Sequence, residues 1–262
     1  MRKEGMIMNE NHDNWDDHWE EYADAAKQNP AQYMRHMLVS SILQRLEESP
    51  TMRLLDVGSG QGDMLAILRP RFPRAEFVGA ELSTSGVEIS KRKVPDATFV
   101  VADLYNPGQS MLPFVNWATC ATCSEVLEHL DDPAAFLKSA GNYFADNARI
   151  IITVPSGPMS RFDKHIGHRQ HFSRESIKTL LGSAGFTVDY VWRAGFPFFN
   201  LYRLVVIARG SRLIEDVRSD KNTPPSKLAR AAMRVFHGLF RFNLKNFPLG
   251  WQIVAVARKA RK

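Results

Sequence analysis

From Thr51 onward the chain alternates short apolar runs with segments of helical period, and this alternation constrains the fold more than any other feature. RLLDV, AEFVGAEL, ATFVVADL, WATCATC and ARIIITV have the length and composition of buried strands. Between them, DMLAILRPRF, TSGVEISKRK and PAAFLKSAGNYF carry the helical pattern. Strands that are apolar at nearly every position are covered on both faces, and strand–helix alternation joins parallel neighbours. The expectation is an α/β, doubly wound sheet. Ser173 then opens SRESIKTLLGSAGF as a helix N-cap, with Glu175 and Ser176 in the first turn and Gly185 near the exit. FTVDYVW supplies a sixth strand and the terminal GWQIVAVARK one more. A chain of 262 residues, 44% of them hydrophobic, can bury one sizeable core of this kind.

Two regions fall outside the alternation. Residues 15–48 read as helical (EEYADAAK, then QYMRHMLVSSILQRLEE), and residues 196–247 separate the last two strands. The second region holds the helix FNLYRLVVIARGSRLI, the turn KNTPPS and the amphipathic helix SKLARAAMRVFHGLFRF. The organisation expected is a helical lid over 1–50, a core over 51–192, a helical insert or lid over 193–250, and a final core strand with a basic tail over 251–262. Lids at these places cover the carboxyl edge of the sheet, where open α/β sheets bind ligands. The insert helix is assigned as lid or dimer contact rather than as a membrane-surface element.

Charge is uneven. The net value is +6, yet residues 9–24 are acidic and Lys221–Lys262 contains no Asp or Glu. A basic tail of this sort attracts nucleic acid or anionic lipid, or forms a solvated helix face, and the last is the assignment made. No apolar run reaches the roughly 18 residues needed to span a bilayer, and the polar N-terminus is no secretory signal. Cys120 and Cys123 both fall at the end of a buried strand with no second pair, so they read as reduced thiols of a cytoplasmic protein.

LLDVGSGQGDML, Leu54–Leu65, places Gly58, Gly60 and Gly62 behind Asp56 at a strand end. Missing Cβ atoms let a ligand lie against the main chain and allow positive φ in a tight turn. The dinucleotide fingerprint G-x-G-x-x-G, counted from Gly58, wants glycine or alanine at 63, where this chain has Asp63. A carboxylate beside a pyrophosphate is unfavourable, which weighs against a dinucleotide. Glu81 ends the second strand run and Asp103 the third, giving three acids at three successive strand ends.

The pattern D-x-G-x-G-x-G resembles motif I of class I S-adenosylmethionine (SAM)-dependent methyltransferases. CSEVLEHLDDP and GHRQHFSRESIKTLLGSAGF resemble the ubiquinone-O-methyltransferase-like (type 11/23) branch, and the resemblance covers about residues 30–192 plus the final strand. It implies a Rossmann-like seven-stranded sheet in the order 3-2-1-4-5-7-6. It also implies that SAM binds and S-adenosylhomocysteine is released. The site it implies is Asp56, Gly58, Ser59, Gly60, Glu81, Leu82, Asp103 and Leu104, with Cys123 and Ser124 at the methyl-proximal edge. Glu81 is to hold the ribose hydroxyls and Asp103 the adenine amino group. Arg35 reaches the cofactor carboxylate or makes a surface ion pair.

Methyl transfer to a hydroxyl or protonated amine requires an oriented nucleophile and a base. His129, His168 and His171 are the catalytic candidates, with His165 in the same His-rich loop. In EVLEHL, a helix would put Glu125 and His129 on one face near the end of the fourth strand. His129 then acts as base or merely orients Glu125. Glu125, Glu128 and His129 followed by a distal histidine also resemble the metal-binding arrangement of small-RNA 2′-O-methyltransferases and some ubiquinone O-methyltransferases. No metal ligand is assigned on that basis, and a divalent metal is a secondary option.

Phe196, Phe198, Phe199 and Tyr202 are expected as lid core. The N/D-P-P-Y/F signature of base-amino methyltransferases is absent where the sequence reads TCSE, which argues against DNA as acceptor, and no RNA module is appended. The expected function is methylation of an O or N atom of a small metabolite by a monomer or homodimer. The rivals are a metal-assisted RNA 2′-O-methyltransferase, an NAD-dependent oxidoreductase and a non-catalytic SAM-fold protein.

Overall fold

Leu54 and Leu55 are adjacent and both fully buried, because each face of their strand meets a different core. A computed structural model of the protein describes residues 29–46, 51–219 and 227–260. The strands are β1 (Arg53–Val57), β2 (Glu76–Glu81), β3 (Thr98–Val101), β4 (Ala118–Ser124), β5 (Phe144–Pro155), β6 (Phe186–Ala194) and β7 (Gln252–Lys259). They form one sheet in the order β3-β2-β1-β4-β5-β7-β6. All neighbours are parallel except β7, which runs antiparallel between β5 and β6. The seven-stranded, Rossmann-like order expected from the sequence is therefore the order observed.

The helices are α1 (Pro30–Leu46), α2 (Asp63–Leu68), α3 (Thr84–Lys93), α4 (Pro133–Ala140), α5 (Arg161–His165), α6 (Arg174–Ser183), α7 (Phe198–Ser219) and α8 (Lys227–Leu239). Leu55, Val57, Ile150 and Ile152 pack into one core layer with α4 and α6. Leu54, Phe77, Ile151 and Val254 pack into the other, where Val39 and Leu43 of α1 cover them. Truncating a fully buried leucine such as Leu43 to alanine costs about 2–5 kcal/mol. The first turns of α1 leave this layer: Ala31 and Met34 cluster with Phe199 and Phe240 of the insert. Helix α1 thus joins the sheet to the segment expected as a lid.

Local chemistry fixes several element ends. Ser173 caps α6 through a reciprocal box with Ser176, and Gly185 leaves the helix at φ 86°. Helix α2 ends ahead of Pro70, short of the DMLAILRPRF run. In the His-rich segment expected as a loop, Ser160 and Asp163 form a capping box that nucleates α5.

EVLEHL differs from the expected helix. Glu125 donates its N–H to the Thr153 carbonyl and takes φ 57°, so the chain turns there and only Leu127–His129 coil, as a 3-10 turn. Glu125 and His129 therefore do not share a helical face. Helix α7 covers the FNLYRLVVIARGSRLI segment, with a break at Gly210 (φ 36°, ψ −111°). EEYADAAK and KNTPPS lie outside the described residues.

Candidate active site

The glycine loop sits where β1 leaves the sheet. Gly58, Gly60 and Gly62 take φ of 72°, 53° and 74°, a left-handed run that only glycine adopts without strain. The N–H groups of Gly58 and Ser59 both donate to the Ala80 carbonyl at the end of β2. Glu81 locks the loop from the same strand. Its Oε2 accepts from Gly60 N–H at 2.8 Å and its Oε1 from Ser83 N–H at 3.0 Å, the latter at the N-cap of α3. A Cβ placed on Gly58 would come within 2.5 Å of Val126 Cγ2, so the segment after β4 lies directly against the loop.

Beneath the loop, the Asp56 carboxylate accepts from the Thr122 hydroxyl at 2.6 Å across the β1–β4 pairing. Burial raises the Asp56 pKa to about 7, with the nearby Glu81 charge adding to the rise and the Thr122 hydrogen bond opposing it. Asp103 holds the Tyr105 N–H at 2.9 Å just beyond β3. Next to these acids Leu82 is exposed, whereas Leu104 and Cys123 are buried in the core and can offer a ligand only their backbone. Ser124 exchanges a hydroxyl hydrogen bond of 2.7 Å with Thr153.

The donor set fits an adenosylated, positively charged amino acid. Asp56, Glu81 and Asp103 present three carboxyl groups and the loop presents bare backbone. Ser59 Oγ and both amide atoms of Gln61 are buried without a hydrogen-bond partner, a cost that a bound polar ligand relieves. Gln61 escaped the sequence reading, and the available signal was its place between two glycines.

A second polar cluster occupies the carboxyl edge of β4 and β5. Glu125 Oε1 accepts from Gln252 Nε2 at 2.8 Å, and its Oε2 lies 3.5 Å from Arg35 Nε. Arg35 therefore reaches over the sheet edge from α1, where its partner is a carboxylate of the protein. Glu128 is fully buried, and neither carboxylate oxygen has a hydrogen-bond partner. Burial, followed by the Glu125 charge, pushes its pKa well above the usual carboxylate range.

The histidines of the 160–172 loop face this group. His171 Nδ1 lies 3.1 Å from the Gly157 carbonyl, which only a protonated nitrogen can satisfy. Its Nε2, 3.2 Å from His168 Nδ1, then accepts from that atom in the neutral pair. The remaining His168 Nε2 turns its lone pair toward Glu128 Oε1, 4.0 Å away, beyond direct hydrogen-bond reach. Burial, and after it the neighbouring His129, lower the His168 pKa to about 3, so the ring is neutral at physiological pH. His129 packs edge-on to His168 at a centroid distance of 4.8 Å. All three catalytic candidates therefore lie together.

Two groups here could hold a cation by proximity. Glu128, His129 and His168 offer ligand atoms within 4.8 Å of one another, and so do Asp163, His168 and His171. The second set is already engaged. Asp163 takes both guanidinium nitrogens of Arg203 at 2.8 and 2.7 Å and the Ser160 N–H at 2.7 Å. Burial works to raise the Asp163 pKa, but the Arg203 and Ser160 contacts outweigh it and hold the group at about 2. This pair ties α5 to α7 and closes the edge of the cluster. Asp163, Arg203 and Gln252 were not singled out in the sequence, since each acquires its role from a partner dozens of residues away.

A family model described as a methyltransferase domain matches residues 31–191, more than half of the chain. The protein belongs to the class I SAM-dependent methyltransferase family. S-adenosylmethionine is the cofactor of that family, and the glycine loop with its three acids fits it. The methyltransferase is 33% identical over 108 residues to a demethylmenaquinone methyltransferase of Thermotoga maritima, covering 41% of this chain and 44% of that one. It is 26% identical over 132 residues to a trans-aconitate 2-methyltransferase of Methylobacterium radiotolerans, covering 48% and 49%. The chain thus spans about half the length of these two curated relatives. Its fold is that of geranyl diphosphate C-methyltransferase from Streptomyces coelicolor, solved with Mg²⁺, geranyl diphosphate and S-adenosylhomocysteine. That match has TM-score 0.53 and 13% identity, and covers 84% of this chain and 78% of that chain. Among the described residues of this methyltransferase, no helix is long and apolar enough to cross a membrane.

Proposed function

We propose that this methyltransferase transfers the methyl group of SAM to an O or N atom of a small metabolite in a biosynthetic pathway, with His129 as the base. The observation that carries the reading is the contact of Gly58 with Val126. It brings the segment bearing Glu125, Glu128 and His129 against the cofactor loop. Bound SAM supplies an electrophilic methyl on a sulfonium. The loop of Gly58–Gly62 and Glu81 holds the donor, and Asp103 and Leu82 take its adenosine end. His129 accepts the proton that the nucleophile loses, while His168, kept neutral by its buried setting, orients the ring of His129. The small-molecule methyltransferases among the relatives support an acceptor of metabolite size, bound between the β4–β5 edge and the helices α1 and α7.

The test is a transfer assay with methyl-labelled SAM against a metabolite panel of phenols, carboxylic acids and amines, run beside S-adenosylhomocysteine calorimetry. Label on an O or N atom of a panel member supports the reading. Micromolar binding of S-adenosylhomocysteine with label only on carbon, or only on RNA, overturns the acceptor assignment and leaves the cofactor intact.

A second reading has its own observation. The two partnerless oxygens of Glu128 and the lone pair of His168 Nε2 converge on one point beside His129, a donor set suited to Mg²⁺, Mn²⁺ or Zn²⁺. There the cation would hold and acidify an acceptor hydroxyl. Activity abolished by chelator and restored by one of these ions supports it. Activity indifferent to chelator, with no metal retained after dialysis, removes it.

A further inference from the structure

Helix α7 is apolar on two opposite faces. Its inner face carries Phe199 and Tyr202, which meet Phe236 and Phe240 at ring-centroid distances of 5.4 to 6.0 Å. Arg203, on the same side, pairs with Asp163 beside the histidine cluster. The outer face repeats the period with its apolar side chains exposed. Leu201 (49% exposed), Leu204 (50%), Val205 (43%) and Ala208 stand at i, i+3, i+4 and i+7. On α8 and its terminal turn, which pack beside α7, Val235 (59% exposed) and Phe242 (64%) are exposed as well. A stripe of this size on a folded surface marks an interaction site.

Among the described residues, cationic side chains outnumber acidic ones on the elements around the stripe. Arg161 and Lys164 are exposed on α5, which packs along α7, and Arg209 closes the stripe. Arg230, Arg234 and Arg241 are exposed at i, i+4 and i+11 along α8 and its turn. Among the described residues of α5, of α7 as far as Gly210, and of 229–250, Asp163 is the one acid, and it is buried against Arg203.

Against the lid or dimer contact expected from the sequence alone, we propose that this outer face is a peripheral docking surface for an anionic lipid bilayer. An apolar strip flanked by arginine and lysine, on helices too short and too charged to span, is the pattern of an element that lies in the interface plane. Charge decides against a second copy of the chain as occupant. A two-fold contact through this face would set one cationic rim against another. Because the inner face of α7 covers the acceptor side, docking brings that edge of the active site to the bilayer surface. The inference goes beyond the proposed reaction and does not depend on which atom is methylated.

Co-sedimentation of the full chain with phosphatidylcholine vesicles, with and without phosphatidylglycerol, tests it. Binding should rise with the phosphatidylglycerol fraction and fall as salt screens the rim. The pairs Leu204→Glu/Val205→Glu and Arg230→Glu/Arg234→Glu should each weaken binding by roughly tenfold or more, on the scale of interfacial charge and apolar burial. S-adenosylhomocysteine affinity should stay at the wild-type value in both, which shows that the variants fold. Three results would overturn the proposal: no dependence on anionic lipid, binding that survives both double variants, or a dimer in light scattering that Leu204→Glu dissolves.

Discussion

The two halves of the sheet edge are built by different means. On the β1–β2–β3 side, the polar groups are fixed by neighbours one strand away. Glu81 holds the Gly60 and Ser83 amides, and Ala80 takes two more from the loop. On the β4–β5 side, Glu125 depends on Gln252 in the last strand and Arg35 in the first helix, and Asp163 depends on Arg203 in the insert. The first arrangement is a backbone cradle that any chain with this loop reproduces. The second is a set of buried charges whose balance depends on segments outside the strand–helix alternation. A constant donor and a variable acceptor need that division, because the cofactor side can stay fixed while the other side is rebuilt.

If the division is real, injury to the acceptor side should spare the donor. His129→Ala removes the proposed base without touching the loop, and turnover should fall by about 10² to 10⁴. S-adenosylhomocysteine affinity, read by calorimetry, should change less than threefold, on the order of the coupling between separate sites. Equal losses in turnover and in S-adenosylhomocysteine affinity would show that the halves act as one unit.

Arg203→Ala should produce the next largest effect, now in stability. It strips the bidentate partner from a fully buried carboxylate, and breaking such a pair costs about 3–5 kcal/mol. Thermal unfolding followed by calorimetry reads the loss. Arg203→Met with Asp163→Asn should recover part of it, since the pair can be replaced more cheaply than halved. A wild-type melting temperature in Arg203→Ala would mean that α7 is not anchored through Asp163.

Gly58→Ala strikes the place where the halves touch. The left-handed backbone costs a non-glycine residue about 1–3 kcal/mol, and the new methyl meets Val126. S-adenosylhomocysteine affinity should fall by about tenfold to a hundredfold. Combining it with Val126→Ala should restore only the portion due to contact. Full restoration would assign the whole effect to packing and none to the turn.

These two halves were also unequally legible in the sequence. Strand–helix alternation predicts the sheet and the strand ends that carry Asp56, Glu81 and Asp103, because those signals are local, whereas the strand order follows from the family resemblance. The turn at Glu125 carries no such signal: EVLEHL has good helix formers, and the sheet bond from Glu125 to Thr153 overrides their propensity. Helix α5 was hidden for the opposite reason, since its Ser160–Asp163 capping box sits inside a stretch whose histidines dominate the eye. The roles of Asp163, Arg203 and Gln252 are pairings across 40 residues or more, which no periodicity reports.

The smallest expected effect concerns pH, and it separates the halves by sign. His168 has a pKa of about 3 in the folded chain against an ordinary 6.5. Between those values the unfolded chain binds more protons, so stability is full above pH 6.5 and is lost as pH falls toward 3. Asp56, raised to about 7 from 3.8, acts the other way: the folded chain holds the extra proton, and stability is lost as pH rises through 7. Urea unfolding of the free protein should therefore show greatest stability on the mildly acid side of neutrality. His168→Gln should flatten the acid limb, and Asp56→Asn the limb approaching neutrality. His36, buried with a pKa lowered to about 4 by burial and by Arg35, keeps some acid slope in the first variant. If His168→Gln flattened the alkaline limb instead, His168 would be held protonated in the fold, and its lone pair would not face Glu128.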